Sequence, residues 1–139
     1  MMLRVEVTDD LDSCFALRRK VFMDEQGISE AEEFDGKDAT AIHVLARQGD
    51  IPAGCARVLP FGTTARIGRV CVLPQFRGKA VGIAVLEACH DAARATGATR
   101  VILSAQTRAL SFYERLGYAS YGDVFDDAGI PHLMMERGL

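Results

Sequence analysis

The chain has 139 residues, 49% of them hydrophobic and 25% charged, with a formal net charge of −3. A chain of this size folds from roughly 21,900 Å² of surface to roughly 7,100 Å², which supports one core and not two, so residues 1–139 read as a single domain. Disorder and collagen-like repeats are excluded by composition, the acidic balance argues against a nucleic-acid partner, and no apolar run reaches the roughly 18 to 20 residues of a membrane span. Residues 3–7 alternate as a short strand. Asp9 and Asp10 offer an N-cap to a helix carrying Leu11, Cys14, Phe15, Arg18 and Phe22 at helical spacing, and Gly27 stops it. The stretch 24–38 then holds seven acids against one base, Lys37. It reads either as a solvated loop or as a wall facing a cationic substrate.

Residues 41–47 and 51–59 form a hairpin around Gln48-Gly49-Asp50, and 66–73 add a third strand to this meander. A loop rich in small residues, 74–82, leads into a helix whose apolar positions Val81, Ala84, Val85, Ala88, Cys89, Ala92 and Ala95 recur with a period of about 3.6. Residues 100–105 follow as a buried strand. Thr107 then starts a helix over 108–116, with Gly117 just past its end. A last hairpin, 118–125 with 130–135, turns at Asp126-Asp127-Ala128-Gly129 and leaves an edge strand able to pair with a second copy, giving a homodimer. The order β α β β β α β α β β predicts an α+β domain with a mixed sheet and helices on both faces. The cysteines Cys14, Cys55, Cys71 and Cys89 form no C-x-x-C pair and have no histidine at zinc-ligand spacing beside them. They read as reduced, buried residues of a cytoplasmic protein without a metal site.

The bend between strand 66–73 and the helix after it carries the chemistry. Free N–H groups at a helix start attract phosphate, and Gly78, Ala80 and Gly82 let a ligand approach the backbone, with Arg77 and Lys79 adding positive charge. The P-loop pattern fails because Ala80 follows Gly78-Lys79 and the position five before Gly78 is Leu73. The dinucleotide fingerprint fails because the loop has Gly-x-Ala-x-Gly and lies mid-chain, after an antiparallel meander.

The pattern Gln75-x-x-Gly78-x-Ala80, overlapping Arg77-Gly78-Lys79-Ala80-Val81-Gly82, resembles the coenzyme A pyrophosphate loop of the GNAT superfamily of N-acetyltransferases. Ala109-Leu110-Ser111-Phe112-Tyr113-Glu114-Arg115-Leu116-Gly117-Tyr118 is similar to that family's A-x-x-F-Y-x-x-x-G-[F/Y] block. Val21-Phe22-Met23-Asp24-Glu25-Gln26-Gly27 and Gly129-Ile130-Pro131-His132 resemble a small ElaA-like subgroup. One departure is Gln106, where the family often has Asn. The resemblance implies a mostly antiparallel central sheet in which two parallel strands, here 66–73 and 100–105, splay apart around acetyl-CoA. The backbone of Val70, Cys71 and Val72 would pair with the pantetheine arm, and one of those N–H groups would polarise the thioester carbonyl. Arg77, Gly78, Lys79, Ala80, Val81 and Gly82 would hold the pyrophosphate, with Gln106 and Ser111 adding cofactor contacts. Tyr113 would protonate the leaving thiolate, and Glu25 would take the proton of the acceptor amine. His43 and His132 are alternative bases, imidazole being the side chain suited to proton transfer near neutral pH, and Gln26 would join them facing the acceptor. Cys71 stands beside the expected thioester, but an apolar strand makes a thiol inert, so direct transfer in a ternary complex is preferred to an acyl-cysteine. The expected activity is acetyl transfer from acetyl-CoA to a primary amine of a small cationic molecule. The alternatives are a protein lysine or N-terminal acetyltransferase and a non-catalytic coenzyme A-binding regulator.

Overall fold

In a computed structural model that describes residues 2–139, the accessible surface is 7135 Å², close to the value its length predicts. Seven strands form one sheet: β1 Leu3–Thr8, β2 Ile42–Gln48, β3 Ile51–Phe61, β4 Thr64–Val72, β5 Arg100–Gln106, β6 Ala119–Asp127 and β7 Ile130–Gly138. They lie in the order β1-β2-β3-β4-β5-β7-β6, with β4 and β5 parallel and every other neighbour pair antiparallel. The helices are α1 Leu11–Arg18, α2 Glu30–Glu33, α3 Val81–Ala95 and α4 Leu110–Arg115. This is the mixed, mostly antiparallel α+β architecture expected from the sequence, with α2 as an added short helix inside the acid-rich stretch.

The strand period of two divides the core between the two faces of the sheet. On β2, Val44 and Ala46 join a cluster under α3 with Ala56, Val58, Ala65, Ile67, Val85, Leu86 and Cys89. Leu45 points the other way, toward α1, and meets Cys14, Leu17, Val21, Phe22, Cys55, Cys71 and Leu73. All four cysteines are free and buried.

Two irregularities shape what lies between these layers. Asp10 caps α1 by accepting from the Ser13 N–H at 3.2 Å, but after Arg18 the helix widens into a π-helical segment, Arg19–Glu25. There the Gln26 N–H donates to the Val21 carbonyl, a five-residue step. The wide turn keeps Val21 and Phe22 in the core while delivering Glu25 and Gln26 to the sheet's opening. The second irregularity is a bulge in β4. Cys55 pairs with Cys71 and Arg57 with Gly68, so β4 carries one extra residue, and Arg69 takes a left-handed φ of 54°. Pairing of β4 with β5 covers only 64–66 against 100–102. Beyond it the two parallel strands separate.

Candidate active site

The separation of β4 from β5 opens a cleft of about 1040 Å³. One wall is β4. The Leu73 N–H donates to the Ala53 carbonyl at 2.9 Å, and a Cβ built at Gly54 would meet the Cys71 carbonyl at 2.8 Å. Leu73 and Cys71 therefore turn their main-chain groups toward β3, and by alternation Val70 and Val72 turn theirs into the gap. Val70, Cys71 and Val72 all line the cleft, and the Val72 carbonyl is seen on its side, where it accepts from Arg77 Nε at 2.9 Å.

At the outer end, Gly78 and Ala80 both adopt left-handed φ, 75° and 62°, and swing the chain into α3. Ala80 is the N-cap and supplies no side-chain hydrogen bond, and no acid sits in the first turn of α3. The first intrahelical bond is from the Ala84 N–H to the Ala80 carbonyl at 3.2 Å. The N–H groups of Val81, Gly82 and Ile83 are thus left for a ligand at the positive end of a 15-residue helix. Gly78, Ala80, Val81 and Gly82 line this end of the cleft. Gly82 has a further reason to lack a side chain: a Cβ there would lie 3.2 Å from Phe112.

Arg77 and Glu25 close over the same end. Arg77 donates its Nε to the Val72 carbonyl at 2.9 Å, and its two terminal nitrogens to the two oxygens of Glu25, each at 2.7 Å. These hydrogen bonds hold the Glu25 carboxyl below its ordinary value. Glu25 lines the cleft as expected, but a carboxylate stabilised in its charged form by a bidentate guanidinium is a weak proton acceptor, and this argues against its expected role as base.

Tyr113 lies on α4 at the floor of the cleft, buried, with its ring edge-on to Phe112 and Tyr118. Burial, then the neighbouring Cys89, pushes its hydroxyl well above the ordinary tyrosine value, so it stays protonated. Its hydroxyl has no hydrogen-bond partner among the described residues. Gln106 donates to Gln26 Oε1 at 2.9 Å and accepts from Arg108 Nε at 2.9 Å, bridging β5 to the π-helical segment. Both glutamines and His132 line the cleft. Lys79, Ser111 and His43 do not. His43 is buried on β2, where its Nε2 meets the Asp38 carbonyl at 2.9 Å.

Much of the acid-rich stretch is exposed, but five of its seven acids are held in ion pairs, Glu25 by Arg77, Glu30 by Arg19, and Glu33, Asp35 and Asp38 by arginines of α1, β3 and β4. Arg18, buried in α1, pairs with Glu33 and with Asp38, each at 2.7 Å. Arg57 pairs with Asp35 at 2.6 Å and Asp38 at 3.2 Å, and Arg69 with Glu33 at 3.1 Å and Asp35 at 3.3 Å. Three arginines thus neutralise three acids. Burial raises Glu33 against the pull of Arg18 and Arg69. The hydrogen bonds from Arg57 hold Asp35 far below its ordinary value. The expected attraction for a cationic acceptor loses its source here.

The GNAT acetyltransferase domain model matches residues 16–139. The chain belongs to the GNAT acetyltransferase family. Among its relatives, the Bacillus subtilis N-acetyltransferase YjcF is 36% identical over 130 residues, covering 93% of each chain. ElaA of Escherichia coli is 31% identical over 127 residues, covering 87% of this chain and 82% of ElaA. The crystal structure of ElaA superposes with a TM-score of 0.86 at 27% identity, covering 98% and 99% of the two chains. An aminoglycoside 6′-N-acetyltransferase complexed with coenzyme A shares the fold, with a TM-score of 0.78 at 16% identity over 97% and 96% of the chains.

In this GNAT acyltransferase the residues that sequence reasoning passed over are the arginines. Arg57 interrupts the buried run of β3 and Arg69 sits in the bulge of β4. A charge inside an apolar strand needs buried partners, and that was the available signal. The partners themselves, 15 to 36 residues away along the chain, had no local mark.

Proposed function

We propose that this acetyltransferase moves the acetyl group of acetyl-CoA to a primary amine of a small molecule by direct attack within a ternary complex. The observation that carries the reading is the uncapped start of α3 opening into the same cleft as the gap-facing main chain of Val70 and Val72. The first-turn N–H groups of α3 grip the diphosphate. The pantetheine arm adds as a short strand beside β4, and to do so it displaces Arg77 from the Val72 carbonyl. The Val70 N–H then faces the thioester carbonyl and stabilises the oxyanion. The C–N bond forms, the C–S bond breaks with its electron pair on sulfur, and Tyr113 gives its proton to that sulfur.

The acceptor is read more broadly than a cation. Among the described residues the cleft keeps Glu32 and Asp127 outside ion pairs, but also Lys37, Arg66 and Arg108, so charge alone does not select a cation.

Isothermal titration with acetyl-CoA tests the cofactor half, and release of free thiol with an amine panel that includes a lysine peptide tests the transfer half. Binding with no turnover on any amine would leave a coenzyme A-binding regulator, and no binding at millimolar ligand would end the reading. Tyr113→Phe is expected to lower kcat by about 10²-fold while leaving the acetyl-CoA Kd within about twofold. Unchanged turnover removes Tyr113 from the mechanism.

A further inference from the structure

We infer that His132 is the base that takes the proton from the acceptor ammonium, an inference that rests on the acetyl-transfer reading above. The chain has three histidines. His43 is turned to the Asp38 carbonyl on β2, outside the cleft. His90 is enclosed between α3 and β7, where its Nδ1 meets Arg137 at 2.8 Å and its Nε2 the Tyr118 hydroxyl at 2.6 Å. Arginine can only donate, so Nδ1 carries no proton and the ring is held neutral by its surroundings; burial, then Arg137, pushes it down to about 4. Only His132 lines the cleft.

Its geometry prepares it for proton uptake. His132 Nδ1 lies 2.7 Å from the Ile130 carbonyl. A carbonyl can only accept, so Nδ1 carries the proton and Nε2 presents a lone pair. That is how a catalytic imidazole is oriented: one nitrogen fixed by an acceptor, the other offered to substrate. The ring is pinned by Phe125, stacked on it at 5.9 Å, and by its place on β7 opposite Gln106 of β5. The residue is buried and lines the cleft, and Nε2 makes no hydrogen bond among the described residues. The charged and titratable groups lining the same cavity around it include Asp127 on the neighbouring strand β6, Arg108 before α4, Tyr113 on α4, and Glu25 already engaged by Arg77.

The step balances. Nε2 takes one proton from the ammonium, and the freed amine attacks the thioester carbon. The C–S electron pair leaves on sulfur, which receives the Tyr113 proton. The nitrogen loses its second proton to restore Tyr113 through solvent, and the proton on His132 is released as the net acid product.

The test is His132→Asn, whose side-chain amide can still donate to the Ile130 carbonyl but has nothing at Nε2. Wild type and variant are compared over pH 5.5 to 9.5 with one turned-over amine. The expected result is a fall of about 10²- to 10³-fold in kcat/KM near neutral pH. The acid limb of the profile should be lost, the deficit should shrink at high pH where the amine is already free, and the acetyl-CoA Kd should be unchanged. Turnover by His132→Ala should be partly restored by added imidazole. Equal activity and an identical acid limb in His132→Asn, with wild type active, would overturn the base assignment alone. A wild type that binds no acetyl-CoA overturns the parent reading, and the base with it.

Discussion

The pair Glu25–Arg77 sets a competition at the mouth of the cleft. Arg77 can serve a diphosphate or the Glu25 carboxylate, and the carboxylate holds it at 2.7 Å. Both side chains are more than a third exposed, so solvent screens the pair and its worth is at most about 1 kcal/mol. Glu25→Gln removes the competing charge and is expected to tighten acetyl-CoA binding by about two- to fivefold, the factor that such an energy supports. Turnover should stay within about threefold of wild type. Calorimetry and a thiol-release assay read both quantities, and a fall in kcat beyond about 10²-fold would return Glu25 to the role of base. Glu25, singled out in the sequence as a candidate base, does line the cleft, but its partner could not be read there, because Arg77 lies 52 residues away and nothing local marks the pairing. Tyr113 was legible for the opposite reason. Its block is a local pattern, and its burial follows from the same helix face that pattern describes.

At the scale of elements, the passage from β4 into α3 combines strain with function. Ala80 holds a left-handed φ of 62°, where a Cβ costs roughly 1 to 2 kcal/mol and glycine costs little. Ala80→Gly relieves that strain but adds freedom to the unfolded chain, worth roughly 0.4 to 1 kcal/mol in the other direction. The net expectation is a gain between about 0 and about 1.6 kcal/mol in urea unfolding, with acetyl-CoA affinity kept because the α3 amides do not move. A loss of stability would mean that the Ala80 methyl contributes packing that outweighs the strain. The helix itself was plain in the sequence, since its apolar stripe repeats at 3.6 residues and its observed span, Val81–Ala95, matches the residues that carry the pattern. The π-helical widening after Arg18 was not. Arg19–Glu25 has no helix-breaking residue inside it, and what distinguishes a five-residue step from a four-residue one is the packing of Val21 and Phe22 under the sheet.

For the whole molecule, the ion network of Arg18, Arg57 and Arg69 with Glu33, Asp35 and Asp38 fastens the segment between α1 and β2 against the face of the sheet where the cleft opens. This is the part least legible in the sequence: seven acids within residues 24–38 read as surface, because the arginines that hold Glu33, Asp35 and Asp38 reside on α1, β3 and β4. The network also sets the acid stability. Arg57 holds Asp35 below its ordinary value. Burial alone would raise Asp38, but Arg18 and Arg57 outweigh it and hold it low as well. A carboxyl depressed in the folded state contributes stability that is complete above the unfolded value of about 3.9 and is lost as pH falls through the folded value. Glu33, raised by burial, acts the other way and gives a partial offset as it takes up a proton. His90, pushed down to about 4 by burial and then Arg137, adds to the loss in acid, because the unfolded chain protonates it from about pH 6.5 downward. Unfolding free energy should therefore be flat only above about pH 7, decline from about pH 6.5 through the His90 contribution, and continue to fall below about pH 4 as the carboxyls take up protons. Asp35→Asn removes the charge that receives both terminal nitrogens of Arg57, leaving Asp38 as its remaining carboxylate partner. The variant should lose about 1.5 to 3 kcal/mol at pH 7, the range for hydrogen bonds to charged groups. Its stability should then decline less steeply below pH 4, since one of the two depressed carboxyls is gone, so the two curves converge in acid. Urea titrations at pH 7, 4 and 3 decide it, and curves that stay parallel down to pH 3 would show that Asp35 is not linked to folding.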